Sequence, residues 1–301
     1  MPEAFIQPTD AELSLVGSFR KPIWDKFQKG IRTYQLIEPG DKIAVCVSGG
    51  KDSMLAAACM QRLQRFGKVP FEIVFLTMNP GYLPEHMQLI RDNAEKLRLP
   101  LEVFETQVLR AADSAGKHPC FLCSRMRRGF LYSKAQELGC NKIALGHHFD
   151  DIIETILMSM LYGSQIQTMM PKLYSENYQN MQVIRPLYLV RENDIIRWAE
   201  ANNMQFLRCA CRIAAENQNG EAASKRAEIK ALLRQLRAVN PAVDMNIFRS
   251  VENVNLKTLI SYHIGENYHH FLDDYADGIT NRGTRTGEGR GVQDDSSRPA
   301  R

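Results

Sequence analysis

One stretch constrains this chain more than any other: Ala44-Val45-Cys46-Val47-Ser48-Gly49-Gly50-Lys51-Asp52-Ser53-Met54-Leu55. An apolar run ends in Ser-Gly-Gly and a helix-like segment starts at once, which describes a buried strand feeding a glycine turn and then a helix N-terminus. Such a turn is an anion site. Glycines let the backbone approach closely, the free N–H groups of the first helical turn point at the ligand, the helix dipole favours negative charge, and Lys51 adds a full positive one. Asp52 is the informative neighbour, because a carboxylate beside a phosphate cradle repels its ligand unless a divalent cation stands between them. The stretch therefore predicts a nucleotide held with Mg2+.

A Walker A loop is excluded: Val45 stands where its first glycine belongs and Asp52 replaces its hydroxyl residue. The hexapeptide Ser48-Gly49-Gly50-Lys51-Asp52-Ser53 instead resembles the pyrophosphate loop (PP-loop) of the N-type ATP pyrophosphatases. That resemblance implies cleavage of ATP to AMP and pyrophosphate, with a carbonyl oxygen activated as its adenylate.

With 301 residues and 44% hydrophobic content, the chain can bury a full core in one large domain or two. It contains no apolar run of about 18 residues, so no membrane span is expected, and its first ten residues lack an apolar signal core. A cytoplasmic location follows as the expectation. Seven cysteines, an odd number scattered along the chain, argue against a secreted disulfide framework and for reduced thiols. The net charge of +4 is too small to indicate a nucleic-acid partner by itself.

Beyond a basic helix expected over 23–34, apolar strands at 43–47, 71–78, 101–104 and 142–145 alternate with amphipathic helices near 53–65, 85–97, 125–138 and 151–162. The alternation predicts an α/β fold: a doubly wound parallel sheet covered on both faces, with helical additions at both ends. Four regions are expected: an N-terminal helical segment at 1–40, a nucleotide-binding domain at 41–215, a helical extension at 216–276 and a disordered tail at 277–301. Ligands sit beyond the carboxyl ends of strands in such sheets. Three strand tips should therefore converge on one crevice: Ser48-Gly49-Gly50, Thr77-Met78-Asn79 and Gly146-His147-His148. Asp150 or Asp151 can cap the helix that follows the third tip. Residues 163–190 read as irregular, 205–207 as a short strand, and 191–202 and 224–239 as helices, the last strongly basic on one side. A solvated face is the plain reading of both basic helices.

Between the third and fourth strands stands Cys120-Phe121-Leu122-Cys123, followed by Arg125, Arg127 and Arg128. Two thiolates at this spacing can grip one metal centre, and the arginines would favour thiolate and could hold RNA phosphate. The motif alone fits zinc, iron-sulfur or redox use and needs a partner, which Cys209-Ala210-Cys211 supplies. Cys46, Cys59 and Cys140 read as buried small hydrophobes.

Together the loop at 48–53, Cys120-x-x-Cys123 with its arginines, Gly146-His147-His148-x-Asp150-Asp151, Ile184-Arg185-Pro186-Leu187 and the later cysteine pair resemble the tRNA-cytidine 2-sulfurtransferases. The likeness covers about residues 20–260. It implies ATP-dependent formation of 2-thiocytidine in the tRNA anticodon loop, with Gly146, His148 and Asp151 at the ATP site. It further implies a 4Fe-4S cluster on three cysteines with one iron open for sulfur, a cysteine desulfurase as sulfur source, and a homodimer. By this resemblance Cys120 and Cys123 match the first two ligands and Cys209 the third. Cys211 departs from the family pattern, which has Cys-x-x-Cys where this chain has Cys-x-Cys. Two rival readings keep the loop: an amidating or lysidine-type enzyme with zinc or redox cysteines, and a nucleotide or tRNA sensor without turnover.

Overall fold

The computed structural model describes residues 7–109, 119–206, 225–273 and 275, with backbone alone for 119–124. Six strands form the main sheet: β1 (Lys42–Cys46), β2 (Glu72–Asn79), β3 (Leu101–Glu105), β4 (Lys142–Ala144), β5 (Lys172–Tyr174) and β6 (Gln182–Ile184), in the order β3-β2-β1-β4-β6-β5. All neighbours run parallel except the edge strand β5, which is antiparallel to β6.

The central strand shows why the sheet is covered twice. Side chains alternate along it with period two: Ile43, Val45 and Val47 enter one apolar cluster, while Ala44 and Cys46 enter another on the opposite face. The first cluster is filled by α3 (Lys51–Phe66), α4 (Pro84–Lys96) and the N-terminal helices. The second takes Ala135 from α5 (Pro119–Glu137) together with Cys140 and Met181. A third packs α6 (Phe149–Gly163) against α8 (Lys225–Val239) and α9 (Val243–Ser250), through Ile152, Ile156, Ile229, Leu233 and Phe248. The chain winds outward from β1 through β2 to β3, then restarts on the other side at β4. The β1 and β4 tips therefore flank the crevice where such sheets bind ligands.

Several expectations are corrected. Residues 163–190 are not wholly irregular: they contain β5 and β6, and β6 adds a fifth parallel strand beside β4. At three residues each, these strands are too short to show an alternation. The helix expected over 23–34 begins earlier, as a π turn (Arg20–Trp24) that runs through Pro22 into α2 (Asp25–Thr33), and a separate helix, α1 (Asp10–Val16), precedes it. The helix expected to start at 125 begins at Pro119, a residue suited to the first helical position. No strand forms over 204–206, where the Gln205 carbonyl accepts a hydrogen bond from the Asn93 side chain (2.6 Å). α7 (Glu192–Ala201) and α8 match the helices read there.

Compact units comprise Met1–Val251 and Glu252–Arg301, so α1, α2, α8 and α9 belong to the same unit as the sheet. Within the second unit, residues expected to be helical instead form a hairpin of β7 (Ser261–Ile264) and β8 (Asn267–His270). The expected tail at 277–301 lies outside the described residues.

Candidate nucleotide-binding site

The loop after β1 has the geometry its glycines predict. Gly49 adopts φ +86°, open to glycine without strain, and Gly50 begins α3 with no side chain capping the helix. The first-turn N–H groups are thus left to a ligand. Ser53 closes the loop: its hydroxyl donates to the Gly50 carbonyl (2.9 Å) and accepts from the Ser48 N–H (3.1 Å) and the Ser48 hydroxyl (3.2 Å).

The β4 tip packs directly on this loop. A Cβ on Gly146 would lie 2.9 Å from the Asp52 carbonyl carbon and 2.9 Å from the Ser53 nitrogen, both backbone atoms. The glycine makes room for the neighbouring turn. Met78, at the β2 tip, is buried and paired in register with Phe104. The β1, β2 and β4 tips lie side by side at the carboxyl end of the sheet, and contact is seen between the first and third.

His148, rather than either aspartate, is the N-cap of α6. Its Nδ1 accepts from the Asp151 N–H (3.4 Å), while the Asp151 carboxylate accepts from the His148 N–H (3.0 Å). This is a capping box with histidine in the hydroxyl residue's place. His148 Nε2 lies 3.7 Å from Asp52, which ties the β4 turn to the loop a second time. Burial and the Arg185 charge push His147 down, so it is neutral in ordinary buffer.

Lys51 does not stand alone. Its ammonium lies 3.2 Å from Asp52 and 3.1 Å from Glu192 at the start of α7. Burial works against the Glu192 charge, but Lys51, Lys230 and His148 outweigh it and hold the carboxyl at about 2. Burial instead prevails at Asp52 over the His148 and Lys51 charges and pushes its carboxyl up.

Sequence reasoning missed the partners on α6, α7 and α8. Arg226 pairs with Asp151 (2.9 Å), Lys230 with Glu192 (3.2 Å) and Glu154 (3.6 Å), and Arg237 with Asp150 (2.9 Å) and Asp244 (3.0 Å). The Glu192 N–H donates to Asp150 (2.8 Å). Part of the basic face of α8, read as solvated, is therefore docked on the crevice carboxylates. A signal was present: cations at 226, 230 and 237 and carboxylates at 150, 151 and 154 both follow helical three- and four-residue spacings.

One oxygen of Asp52, Oδ1, is buried without a hydrogen-bond partner. That oxygen is ion-paired to Lys51 (3.2 Å) without a well-formed hydrogen bond, and a carboxylate so placed beside a phosphate turn fits Mg2+, which takes one or two carboxylates and completes its shell with phosphate and water. Among the described residues no group of three or more His, Cys, Asp or Glu could hold a metal by itself. Cys120 and Cys123 lie in the first turn of α5, three positions apart. Cys209 and Cys211 lie outside the described residues. Cys46, Cys59 and Cys140 are buried free thiols, and burial pushes Cys46 up to about 12. No described helix is long and apolar enough to cross a membrane.

A parallel sheet whose first tip carries Ser-Gly-Gly-Lys-Asp-Ser against a glycine turn defines a PP-loop protein, and residues 23–219 match the PP-loop domain family. The tRNA-cytidine(32) 2-sulfurtransferase of Alkalilimnicola ehrlichii is 40% identical over 230 residues, covering 74% of this chain and 70% of that one. Its counterpart from Vibrio campbellii is 37% identical over 246 residues, 77% and 80% of the two chains. The chain belongs to the tRNA-cytidine 2-sulfurtransferase family, a family of enzymes. A solved structure, the U34-tRNA thiolase NcsA from Methanococcus maripaludis with its 4Fe-4S cluster, shares the fold at a TM-score of 0.59 and 17% identity, covering 85% of this chain and 87% of that one.

Proposed function

We propose that this chain is an ATP-dependent tRNA thiolase that adenylates the C2 oxygen of an anticodon-loop cytidine and replaces it with sulfur. The observation that carries the reading is the loop at 48–53 seated against Gly146 at the switch point, its first-turn amides uncapped by any side chain and Asp52 half-buried beside Lys51. The names of the relatives supply the tRNA and the cytidine.

A carbonyl oxygen is a poor leaving group, so it must first become one. The C2 oxygen attacks the α-phosphorus and pyrophosphate departs; sulfide then adds at C2, and AMP leaves with the original oxygen. Ser48, Gly49, Gly50 and Ser53 would present and brace the loop amides, and Lys51 would offset the charge that develops on the phosphates. Met78, Gly146, His148 and Asp151 complete the nucleotide crevice. Asp52 would hold Mg2+, which supplies further charge neutralisation when bound. Cys120, Cys123 and either Cys209 or Cys211 would hold a 4Fe-4S cluster, which when bound supplies an iron able to lower the pKa of hydrosulfide. A cysteine desulfurase provides the sulfur, the working assembly is a homodimer, and the location is cytoplasmic.

Anaerobically purified protein given ATP, Mg2+, sulfide and bulk tRNA should release pyrophosphate and yield 2-thiocytidine by nucleoside mass spectrometry. A colourless protein with stoichiometric zinc, or no pyrophosphate with a reduced cluster, overturns the reading. Among the cysteines, Cys209→Ala should bleach the cluster and Cys211→Ala should not.

A further inference from the structure

Glu192 occupies an unusual place. One carboxylate oxygen accepts from Lys51 (3.1 Å) and the other from Lys230 (3.2 Å), so a single anion joins the loop lysine to a lysine of α8 that is 179 positions away in sequence. A carboxylate shared by two ammonium groups is the arrangement a phosphate takes when two cations bind it. The backbone of Glu192 is fixed by Asp150, and α8 is fixed by the Arg226 and Arg237 pairs, so neither lysine owes its position to the carboxylate alone. The Lys230 side chain is 44% exposed, open to an incoming ligand, and burial at its base is outweighed by Glu154 and Glu192, which keep it charged.

Charge leads to the same point. An Mg2+-bound triphosphate brings net negative charge to a crevice that already contains Asp52, Asp151, Glu154 and Glu192, and Lys51 alone cannot serve both Glu192 and the phosphates. We propose that Lys230 is a second cation for the polyphosphate of the nucleotide, and that Glu192 is a placeholder that bridges Lys51 and Lys230 until phosphate oxygens replace it. The inference rests on the loop at 48–53 binding ATP, and it assigns Lys230 to the β- and γ-phosphates, the part that leaves as pyrophosphate.

The test is calorimetric binding of Mg2+ with a non-hydrolysable ATP analogue, and of AMP, to the full-length cluster-loaded protein. Lys230→Met should weaken the triphosphate analogue about tenfold and leave AMP unchanged, and Lys230→Arg should restore most of the loss. Glu192→Gln, which keeps a hydrogen-bond acceptor and removes the charge, should tighten the analogue about threefold. Wild-type affinity for the analogue in Lys230→Met overturns the inference while leaving ATP binding by the loop intact. Equal weakening for AMP and the analogue overturns it as well, since that pattern marks a merely structural lysine. Weaker binding in Glu192→Gln overturns the placeholder role.

Discussion

The two ends of the parallel sheet each bury charge, and they do so in opposite ways. At the amino ends, Lys142 and Asp41 are 1% and 4% exposed and 2.7 Å apart. Both members of the pair are further engaged: Lys142 also reaches the Leu36 carbonyl (3.2 Å), and Asp41 accepts from the Glu38 N–H (2.7 Å) and the Asn141 amide (2.8 Å). At the carboxyl ends, Asp52 Oδ1 and Glu154 Oε2 are buried in ion pairs with Lys51 (3.2 Å) and Arg226 (3.7 Å) that lack hydrogen-bond geometry. The first cluster spends its charges on holding β1 and β4 together; the second pairs them loosely, at distances that a ligand can rearrange.

The contrast is tested most severely at Lys142. Lys142→Ala strands Asp41 in the core and should destabilise the fold by about 3–5 kcal/mol in urea titrations, as expected when one partner of a buried pair is removed. A loss below about 1 kcal/mol would show that the amino-end pair is not a structural rivet. Next comes Gly146→Ala, whose new methyl group would meet loop backbone at 2.9 Å. Overpacking of this kind costs about 1–3 kcal/mol, and because the obstacle is the loop itself, binding of the ATP analogue should fall with stability. Unchanged binding would mean that the two tips do not depend on each other.

Asp52→Asn should separate the two ends more sharply. Burial already disfavours the charge there, so the neutral side chain should stabilise the fold by up to about 1 kcal/mol while pyrophosphate release falls at least about a hundredfold. Asp41→Asn, by contrast, should destabilise. If both asparagine variants destabilise alike, the carboxyl end is as satisfied as the amino end and the comparison fails.

Most of the fold was legible because its signals are local. Strands such as Ile43-Ala44-Val45 are continuous apolar runs, and the Ser-Gly-Gly turn, Gly146 and the 148–151 box lie within a few residues of one another. β5 and β6 were not legible, since three residues carry no period, and neither was the π turn through Pro22, which reads as a helix start. In the site, the loop could be read, and helical spacing hinted at charged faces on α6 and α8, but which charges meet could not be read. Glu192 meets Lys51 across 141 residues and Lys230 follows 38 later; only the folded order of α6, α7 and α8 brings them together. The helical capping role of His148 was hidden by residue type, because aspartate is the commoner cap and two stood beside it.

The smallest effect concerns acid. Lys51 and Lys230 overcome burial at Glu192 and lower its carboxyl to about 2, and Lys142 with its neighbours does the same in direction for Asp41. A carboxyl lowered by folding stabilises the native state above its unfolded pKa and ceases to do so as pH falls through the folded one. Stability should therefore drop from about pH 4.5 toward about pH 2. Because Glu192 is only partly buried and its pairs are screened, its own share should be under about 1 kcal/mol. Thermal melts of Glu192→Gln at pH 6 and pH 3 isolate that share: the variant should lose slightly less stability than wild type between the two. The amino-end cluster should account for more of the fall, since its charges have no solvent to turn to. A fall carried mainly by Glu192 would reverse that ranking and place the sheet's electrostatic anchor at the nucleotide crevice instead.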